Sequence, residues 1–418
     1  MSDLPLLSSL PPVLDQRLKP IGHLGLHLGL NLLFFLFACG RLVKFSGRIS
    51  EFMTKYASKR RIVTLGLTLA LVLGFTLGFS FGLPPAPAFA KLPSKSAIKD
   101  ARILLRNSLP IENESLRSAQ KLLEEMPRQA NLKRWKNLSK DIDVVTQTLN
   151  QGKNQILAET PANRLDSTTE AFNSLSSSLV PLQESIAAKD RNSVKPLSEK
   201  ALDYIGVIES NLVKAFPFTI PAKYADLPQL KGRALVEITT TQGSFIITVD
   251  GYSAPLNGGK FVSLVKQGFY DNLPFSRADE HYYLQTGDPD GVADGDVDPA
   301  TGKNRTVPLE VRIPGQAAPI YGSTLEELGY DRVLPVLPFS AYGTVAMARS
   351  NDDPNSGSSQ FFIYLFESEL TPAGLNLLDG NYSVFGYVTE GQDVLYKLRL
   401  EDQVLSARLI SGGENLVE

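Results

Sequence analysis

Apolar residues in the middle of the chain recur at the spacing of an α-helix. Between residues 94 and 215 they return every three or four positions, so each set forms one stripe along a helix. Three sets show the pattern: Leu132, Trp135, Leu138, Ile142, Val145 and Leu149; Leu165, Phe172, Leu175, Leu179, Leu182 and Ile186; and Leu197, Ala201, Ile205, Ile208 and Leu212. Such stripes form either a bundle core or a groove for a partner, and the core is the simpler interpretation.

Four prolines suggest where these helices are interrupted. Pro127, Pro161 and Pro196 predict boundaries between helices, and Pro181 predicts a kink, because proline lacks the amide hydrogen that a helix interior requires. Thr160 followed by Pro161 is typical of an N-cap and a first helical residue. The segment therefore reads as a bundle of several helices.

After residue 216 the pattern changes to that of β-structure. A proline-rich stretch without helical periodicity predicts a linker over residues 217–230. Alternating apolar residues on both sides of Gln242-Gly243 predict a β-hairpin. A helix should follow and end at Gly268. Its buried face would hold Phe261, Leu264 and Val265.

Short strands separated by glycine-rich turns continue from there to Ile410. This spacing is typical of an antiparallel barrel with a few helices. The predicted fold class is therefore α+β multidomain, with an N-terminal helical bundle followed by an antiparallel β-barrel. The predicted boundaries are 1–90 for an N-terminal extension with a signal peptide, 91–216 for the bundle, 217–230 for the linker and 231–418 for the barrel domain.

The longest apolar segments lie in the first ninety residues. A basic cluster at residues 59–61, an uncharged run over 62–83 and the sequence Ala88-Phe89-Ala90 predict a signal peptide that is cleaved after Ala90. An uncleaved anchor is the alternative, because the run is long enough to span a bilayer. A second apolar stretch over residues 21–39 is either a further membrane segment or lies upstream of a true start at Met53.

Composition and charge exclude several types of site and partner. Hydrophobic residues at 43% and charged residues at 21% are typical of a globular protein. The one cysteine, Cys39, excludes an internal disulfide and a cysteine-based zinc site. After residue 90 the chain carries 33 basic and 41 acidic residues, which gives no indication of a nucleic-acid partner.

The two halves of that exported part differ in charge. Residues 91–216 have a net charge of +4, and residues 217–418 have a net charge of −12. Attraction between tethered, oppositely charged domains predicts that they dock on each other, and docking could cover a substrate groove. Two independent domains are the alternative.

Three sequence motifs in the second half occur in a recognisable order. They are Phe275-Ser276-Arg277 with Tyr282 to Asp288; Gly343 to Arg349 with Ser358 to Ile363; and Leu378 to Gly386. Together they resemble the signatures of the cyclophilins, the peptidyl-prolyl cis-trans isomerases, over most of residues 233–412. The signal sequence, helical bundle and connector are similar to those of the multidomain cyclophilins of the thylakoid lumen in chloroplasts and cyanobacteria.

The resemblance implies a reaction that this chain could catalyse with side chains alone. Rotation about an X-Pro bond faces a barrier of about 18–20 kcal/mol because the nitrogen lone pair is conjugated with the carbonyl. A guanidinium directed at the prolyl nitrogen favours the deconjugated state, and Arg277 is the candidate for that catalytic role. The chemistry requires no cofactor, metal ion or covalent intermediate.

The remaining site residues also follow from the resemblance. Tyr282, Tyr283, Phe362, Leu378 and Tyr382 would line the proline pocket. Gln285 and Ala348 would contact the substrate backbone, and Gln360 would frame the site. The simpler alternatives are a surface ion pair for Arg277, a core position for Phe362 and a hydrogen bond to a neighbouring strand for Gln285.

The sequence departs from the family at several positions. Ser276 and Tyr382 stand where histidine is common, and Leu377 stands where tryptophan is frequent, so we expect cyclosporin-like cyclic peptides to bind weakly. The segment over residues 289–342 is longer than usual. Its acidic start resembles a calcium loop without the required spacing, which favours a solvated turn. Residues 320–328 suggest a short capped helix near the pocket.

Two classes of function are consistent with these observations. The first is an exported prolyl isomerase or folding helper, located in the thylakoid lumen or the periplasm, that acts on proline-containing segments. The second is a scaffold or assembly factor that retains the fold with little turnover. Under either, the resemblance implies assembly or maintenance of photosynthetic membrane complexes, with lumenal parts of photosystem II proteins as possible partners.

Overall fold

The computed structural model describes residues 97–279, 282–289, 295–330, 333–366 and 376–418. The predicted signal segment, its cleavage site and Met53 lie outside these residues. In the described ranges, no helix is both long enough and apolar enough to cross a bilayer.

The first part of the described chain, here called the helical region, consists of one short helix followed by a helical bundle. Its α-helices are α1, Ala101–Ser108; α2, Glu114–Asn131; α3, Trp135–Glu159; α4, Leu165–Ala187; and α5, Arg191–Leu212. The predicted stripes on α3, α4 and α5 pack against α2 in one buried core. Trp135 is half-buried against this core. Leu132 and Leu165 were wrongly assigned to it and are 50% and 38% exposed, because they lie at helix ends.

The helix boundaries differ from those predicted from proline. Pro127 and Pro196 lie inside α2 and α5, while the chain breaks at Lys133 and Lys189, whose φ angles are +56° and +57°. In this left-handed conformation the following residue can bond back across the turn: Arg134 N donates to Gln129 O at 3.0 Å. Each of these prolines removes one intrahelical hydrogen bond, but the helix continues past it, so neither proline sets the boundary.

Thr160 is also not the predicted N-cap. Its hydroxyl donates to Ile156 O at 2.8 Å and so closes the end of α3. Pro161 precedes a 3₁₀ turn over Ala162–Arg164, and α4 begins only after that turn. Pro181 lies within α4, and the kink at this position stays a prediction.

The second part, here called the sheet region, contains a curled antiparallel sheet of eight strands. In spatial order the strands are β11, Val404–Ser411; β2, Arg233–Thr240; β3, Gly243–Asp250; β10, Val384–Glu390; β8, Thr344–Met347; β9, Phe361–Tyr364; β5, Tyr283–Thr286; and β4, Phe275–Asp279. Two smaller antiparallel pairs join β1, Gln229–Leu230, to β12, Leu416–Val417, and β6, Glu310–Val311, to β7, Ile320–Tyr321.

The ends of the curled sheet approach each other. Phe275 N donates to Asp402 O at 3.2 Å, and Val404 N donates to Leu273 O at 2.9 Å, which links the starts of β4 and β11. The sheet is a curled half-barrel whose edge strands meet only at one end. The predicted α+β architecture is confirmed. The predicted hairpin is β2–β3, although its turn is Thr241-Gln242, one residue earlier than expected, because Gly243 already pairs with Thr240.

The inner face of the sheet packs against α6, Pro255–Lys266. The predicted residues Phe261, Leu264 and Val265 are buried there, and Gly268 follows the helix with a φ of +70°. A further short helix, α7, spans Gln392–Leu395. Because strand residues alternate between the two faces, the neighbours of these core positions point to the outer face, where the site lies.

Helix α1 packs against that outer face. Ala101, Leu104 and Leu105 belong to one apolar cluster with Phe339, Phe362 and Tyr387 of the sheet region. Arg102 Nη2 donates to Thr389 O at 3.2 Å. The described residues, from 97 to 418 with the gaps given above, belong to one compact unit.

Candidate functional site

The strand register brings the predicted catalytic residue into line with the predicted pocket. Arg277 pairs with Gln285, Gln285 pairs with Phe362, and Phe362 pairs with Ala346 across β4, β5, β9 and β8. Directly paired residues point to the same face of a sheet. A guanidinium, an amide and a phenyl ring therefore form one row on the outer face.

The two predicted glutamines form a polar pair beside this row. Gln285 Nε2 donates to Gln360 Oε1 at 2.6 Å. Ala348 N donates to Gln360 O at 3.0 Å, which ties the end of β8 to the start of β9. Each glutamine keeps further donor or acceptor capacity, so the pair can hold a peptide backbone in a fixed orientation.

Aromatic side chains enclose the apolar half of the site. Phe362 lies at the base and is only 7% exposed. Tyr382 and Tyr283 contact it edge to face, with ring centroids 5.3 and 6.2 Å away. Tyr282 is exposed and stacks on Phe366 at 5.4 Å. Leu378 packs at the edge of the same cluster. Tyr283, Phe362, Leu378 and Tyr382 thus lie in one cluster, whereas Tyr282 only contacts Phe366 at its edge.

Phe339 is a residue of this aromatic cluster that the sequence analysis missed. It is fully buried and stacks on Phe362 at a centroid distance of 5.9 Å with the rings nearly parallel. It belongs to the long segment over 289–342, in which no motif indicated a role. The alternation of apolar residues at 337, 339 and 341 was the signal that could have identified it.

Buried hydrogen bonds hold the loop that carries Leu378. Asp379 accepts from Phe339 N at 2.8 Å and from Asn376 N at 3.0 Å. Burial raises the pKa of Asp379 to about 6, although these two backbone donors act in the opposite direction. The neighbouring Leu377 is 76% exposed and closes no part of the pocket.

The long segment lies beside this loop. Leu325 N donates to Gly380 O at 3.1 Å. Thr324 and Glu327 exchange the reciprocal bonds of a capping box, at 2.9 and 3.1 Å. The predicted helix is nevertheless wrong, because residues 325–329 form turns and no α-helix.

The acidic start of that segment is bound by cationic side chains where it is described. Asp296 lies 2.5 Å from Lys260 Nζ and 3.4 Å from Arg305 Nη1, and Asp298 accepts from Ala300 N at 2.9 Å. Asp290 and Asp294 are outside the described residues. Within those residues, no three His, Cys, Asp or Glu side chains form a group that could hold a metal ion.

Comparisons with family models match both parts of the chain. Residues 235–410 match the model for the cyclophilin type peptidyl-prolyl cis-trans isomerase, and residues 100–213 match the PsbQ-like domain of CYP38-like peptidyl-prolyl cis-trans isomerases. The order of the two matches is the one predicted from periodicity and motifs.

Individual relatives extend over both parts. A putative thylakoid lumen peptidyl-prolyl cis-trans isomerase of Synechocystis sp. is 46% identical, over 77% of this chain and 85% of the relative. The chloroplastic peptidyl-prolyl cis-trans isomerase CYP38 of Arabidopsis thaliana is 41% identical, over 80% of this chain and 78% of the relative. A solved cyclophilin type isomerase of Cryptosporidium parvum is 24% identical with a TM-score of 0.30, over 42% and 99% of the two chains.

Proposed function

The chain belongs to the cyclophilin-type peptidyl-prolyl cis-trans isomerases, and from that membership we propose that it binds X-Pro segments of client proteins in the outer-face groove and isomerises them in the thylakoid lumen. The row of Arg277, Gln285 and Phe362 on adjacent strands carries this proposal. Phe362 would accept the prolyl ring, and the glutamines would hold the flanking backbone. Arg277 would then act on the prolyl nitrogen.

In this mechanism the arginine stabilises only the rotating state of the bond. A guanidinium that donates to the prolyl nitrogen withdraws its lone pair from conjugation, which lowers the barrier without binding the planar ground state equally well. The apolar wall excludes water from this contact and so strengthens it. No proton transfer to solvent is required.

The test of this mechanism is the Arg277→Ala variant of the protein from residue 91 onward. We expect kcat/KM for a proline-containing peptide, measured by exchange NMR, to fall by at least about tenfold, equivalent to about 1.4 kcal/mol. Lys303→Gln, which removes a positive charge from an exposed turn, serves as the control and should leave the rate unchanged. An Arg277→Ala protein that is folded and fully active would exclude this mechanism.

We further propose that clients include lumenal parts of photosystem II proteins and that export ends with cleavage after Ala90. Support for the location comes from the lumenal and chloroplastic relatives. N-terminal sequencing of the mature protein tests the cleavage site. Crosslinking of a photoreactive residue placed beside Tyr282 in intact membranes would identify the clients.

A second candidate function is a scaffold whose groove is partly masked by the helical region. The observation that favours it is the shared apolar cluster of Leu104, Leu105, Phe339 and Phe362, which joins α1 to the pocket wall. If α1 limits access, Leu104→Glu should raise affinity for a proline peptide at low salt. Val207→Glu, at an exposed position of α5, is the matched control. Equal affinities in the folded variants would exclude masking.

A further inference from the structure

A second arginine lies beside the aromatic cluster of the candidate site. Arg349 directly follows Ala348, whose amide bonds to Gln360 O. Its guanidinium carbon lies 5.1 Å from the centre of the Tyr382 ring. The position places a second fixed positive charge beside the aromatic wall that Phe362 and Tyr382 form.

Backbone carbonyls hold this side chain in one orientation. Arg349 Nε donates to Asn381 O at 2.8 Å, and Nη1 donates to Ser350 O at 2.7 Å. The carbonyls carry no net charge, so these bonds orient the guanidinium and leave its charge uncompensated. An oriented, half-buried cation needs little further ordering to bind an anion.

Among the described residues, no carboxylate forms an ion pair with Arg349, and Nη2 donates to no acceptor. The nearby Asp353 instead accepts from Asn355 N at 2.8 Å. A planar guanidinium with a free nitrogen is suited to a carboxylate, which it can bind through two hydrogen bonds.

Positive charge acts on Tyr382 from this part of the site. Burial raises the pKa of Tyr382, and the charges of Arg349 and Arg277 oppose that rise. Of the two arginines, Arg349 lies against the ring, with its guanidinium carbon 5.1 Å from the ring centre. Within a region of net charge −12, two positive charges therefore act on the aromatic wall of the groove.

We propose that Arg349 is a specificity-determining residue that binds a carboxylate of the client, so that the groove selects proline segments with Asp or Glu within two residues of the proline. The inference rests on the proposed binding of X-Pro segments. It assigns Arg277 to the reacting bond and Arg349 to a flanking side chain.

The experiment measures binding of fluorescent peptides, each with one proline and with Glu, Gln or Lys at one of the two positions before or after it. The unmodified protein should bind the best Glu peptide about three- to tenfold more tightly than its Gln counterpart, and about 0.3 M salt should reduce this ratio. Arg349→Gln should bring the ratio close to one while its affinity for the Gln peptide stays within about twofold. Arg349→Lys should keep part of the preference.

The ratio of Glu-peptide to Gln-peptide affinity separates recognition of a carboxylate from support of the loop. A distorted loop would weaken the binding of both peptides alike. A preference for Glu that persists in Arg349→Gln, or its absence in the unmodified protein, would overturn the inference. Lys303→Gln is the control and should leave the ratio unchanged. If no proline peptide binds to the unmodified protein, the proposed function fails together with this inference; if Gln peptides bind without a Glu preference, only this inference fails.

Discussion

Glu209 is a single buried carboxyl group that should make the stability of the helical region depend on pH. It lies on α5 with no solvent exposure, and its Oε1 accepts from Arg117 at 3.1 Å. Burial raises the pKa of Glu209 to about 7, against the opposing charges of Arg117 and Arg106. Between about pH 4.5 and pH 7, the Glu209 carboxyl therefore keeps its proton in the folded protein and loses it in the unfolded chain.

The raised pKa of Glu209 determines whether stability rises or falls with pH. The stability that comes from the bound proton is fully present below about pH 4.5 and is lost as the pH rises to about 7. Glu209→Gln removes this titration. The free energy of unfolding of the variant minus that of the unmodified protein should therefore be larger at pH 8 than at pH 5, by about 1–3 kcal/mol. Urea unfolding at both pH values measures the difference. Glu199→Gln, on the exposed side of the same helix, should show none, and an equal response in both variants would contradict the argument.

Single residues also show what the sequence could indicate about the site. Arg277, Gln285 and Phe362 were predicted from motifs that resemble those of the cyclophilins, and the strand register places the three residues in one row. Phe339 could not be identified, since its place against Phe362 depends on how a long irregular segment returns to the sheet. Arg349 was within a motif, but its distance to Tyr382 is a property of the folded loop.

At the scale of elements, two lysines in the left-handed conformation terminate helices where glycine would cost less strain. An L-residue in this conformation is destabilised by roughly 1–2 kcal/mol. Glycine relieves this strain, but it also raises the backbone entropy of the unfolded chain, which cancels part of the stabilisation. Lys133→Gly and Lys189→Gly should each raise the free energy of unfolding by about 0.5–1 kcal/mol. Lys140→Gly, in the exposed middle of α3, should lower it by about 1 kcal/mol. Thermal or urea unfolding of the three variants measures these changes. If all three variants were less stable than the unmodified protein, the explanation would be wrong.

The same two positions explain why the helix boundaries were harder to predict than the strands. Alternation located the turn between β2 and β3 to within one residue, because burial on one face of a sheet imposes the alternation directly. Helix ends depend on the conformation of single residues, and nothing in the identity of Lys133 or Lys189 indicates a positive φ angle. The prolines gave a stronger local signal than these lysines, but α2 and α5 each continue past their proline.

At the scale of the whole molecule, three arginines from separate elements bind the carbonyl end of α1. Arg233 of β2 donates to Leu105 O and to Ser108 Oγ, Arg312 donates to Ser108 O at 2.7 Å, and Arg117 of α2 donates to Leu109 O at 2.8 Å. Cations stabilise the negative end of a helix. Helix α1 is thus held by the helical region and the sheet region together.

Arg233 is the member of this set whose loss should be most visible. It also lies 3.4 Å from the carboxylate of Asp250, which is completely buried. Arg233→Ala would leave that carboxylate with fewer donors and should lower the free energy of unfolding by about 3–5 kcal/mol. Amide hydrogen exchange over residues 103–109 should accelerate by more than exchange in α3. Arg128→Ala, an exposed arginine of α2, is the control, and a similar loss of stability in both would contradict the assignment.

The arginine contacts of α1 also set an order of events during folding. Ser108 meets Arg233 across 125 positions of the chain and Arg312 across 204, so α1 cannot be fixed until much of the sheet has formed. Helices α2 to α5 have their own core, so they can fold before the sheet forms. A chain that emerges from its amino terminus would therefore complete the bundle early and add its first helix last. In pulse-labelled hydrogen exchange during refolding, protection of residues 103–109 should appear together with that of β2, although these residues precede the whole bundle in sequence.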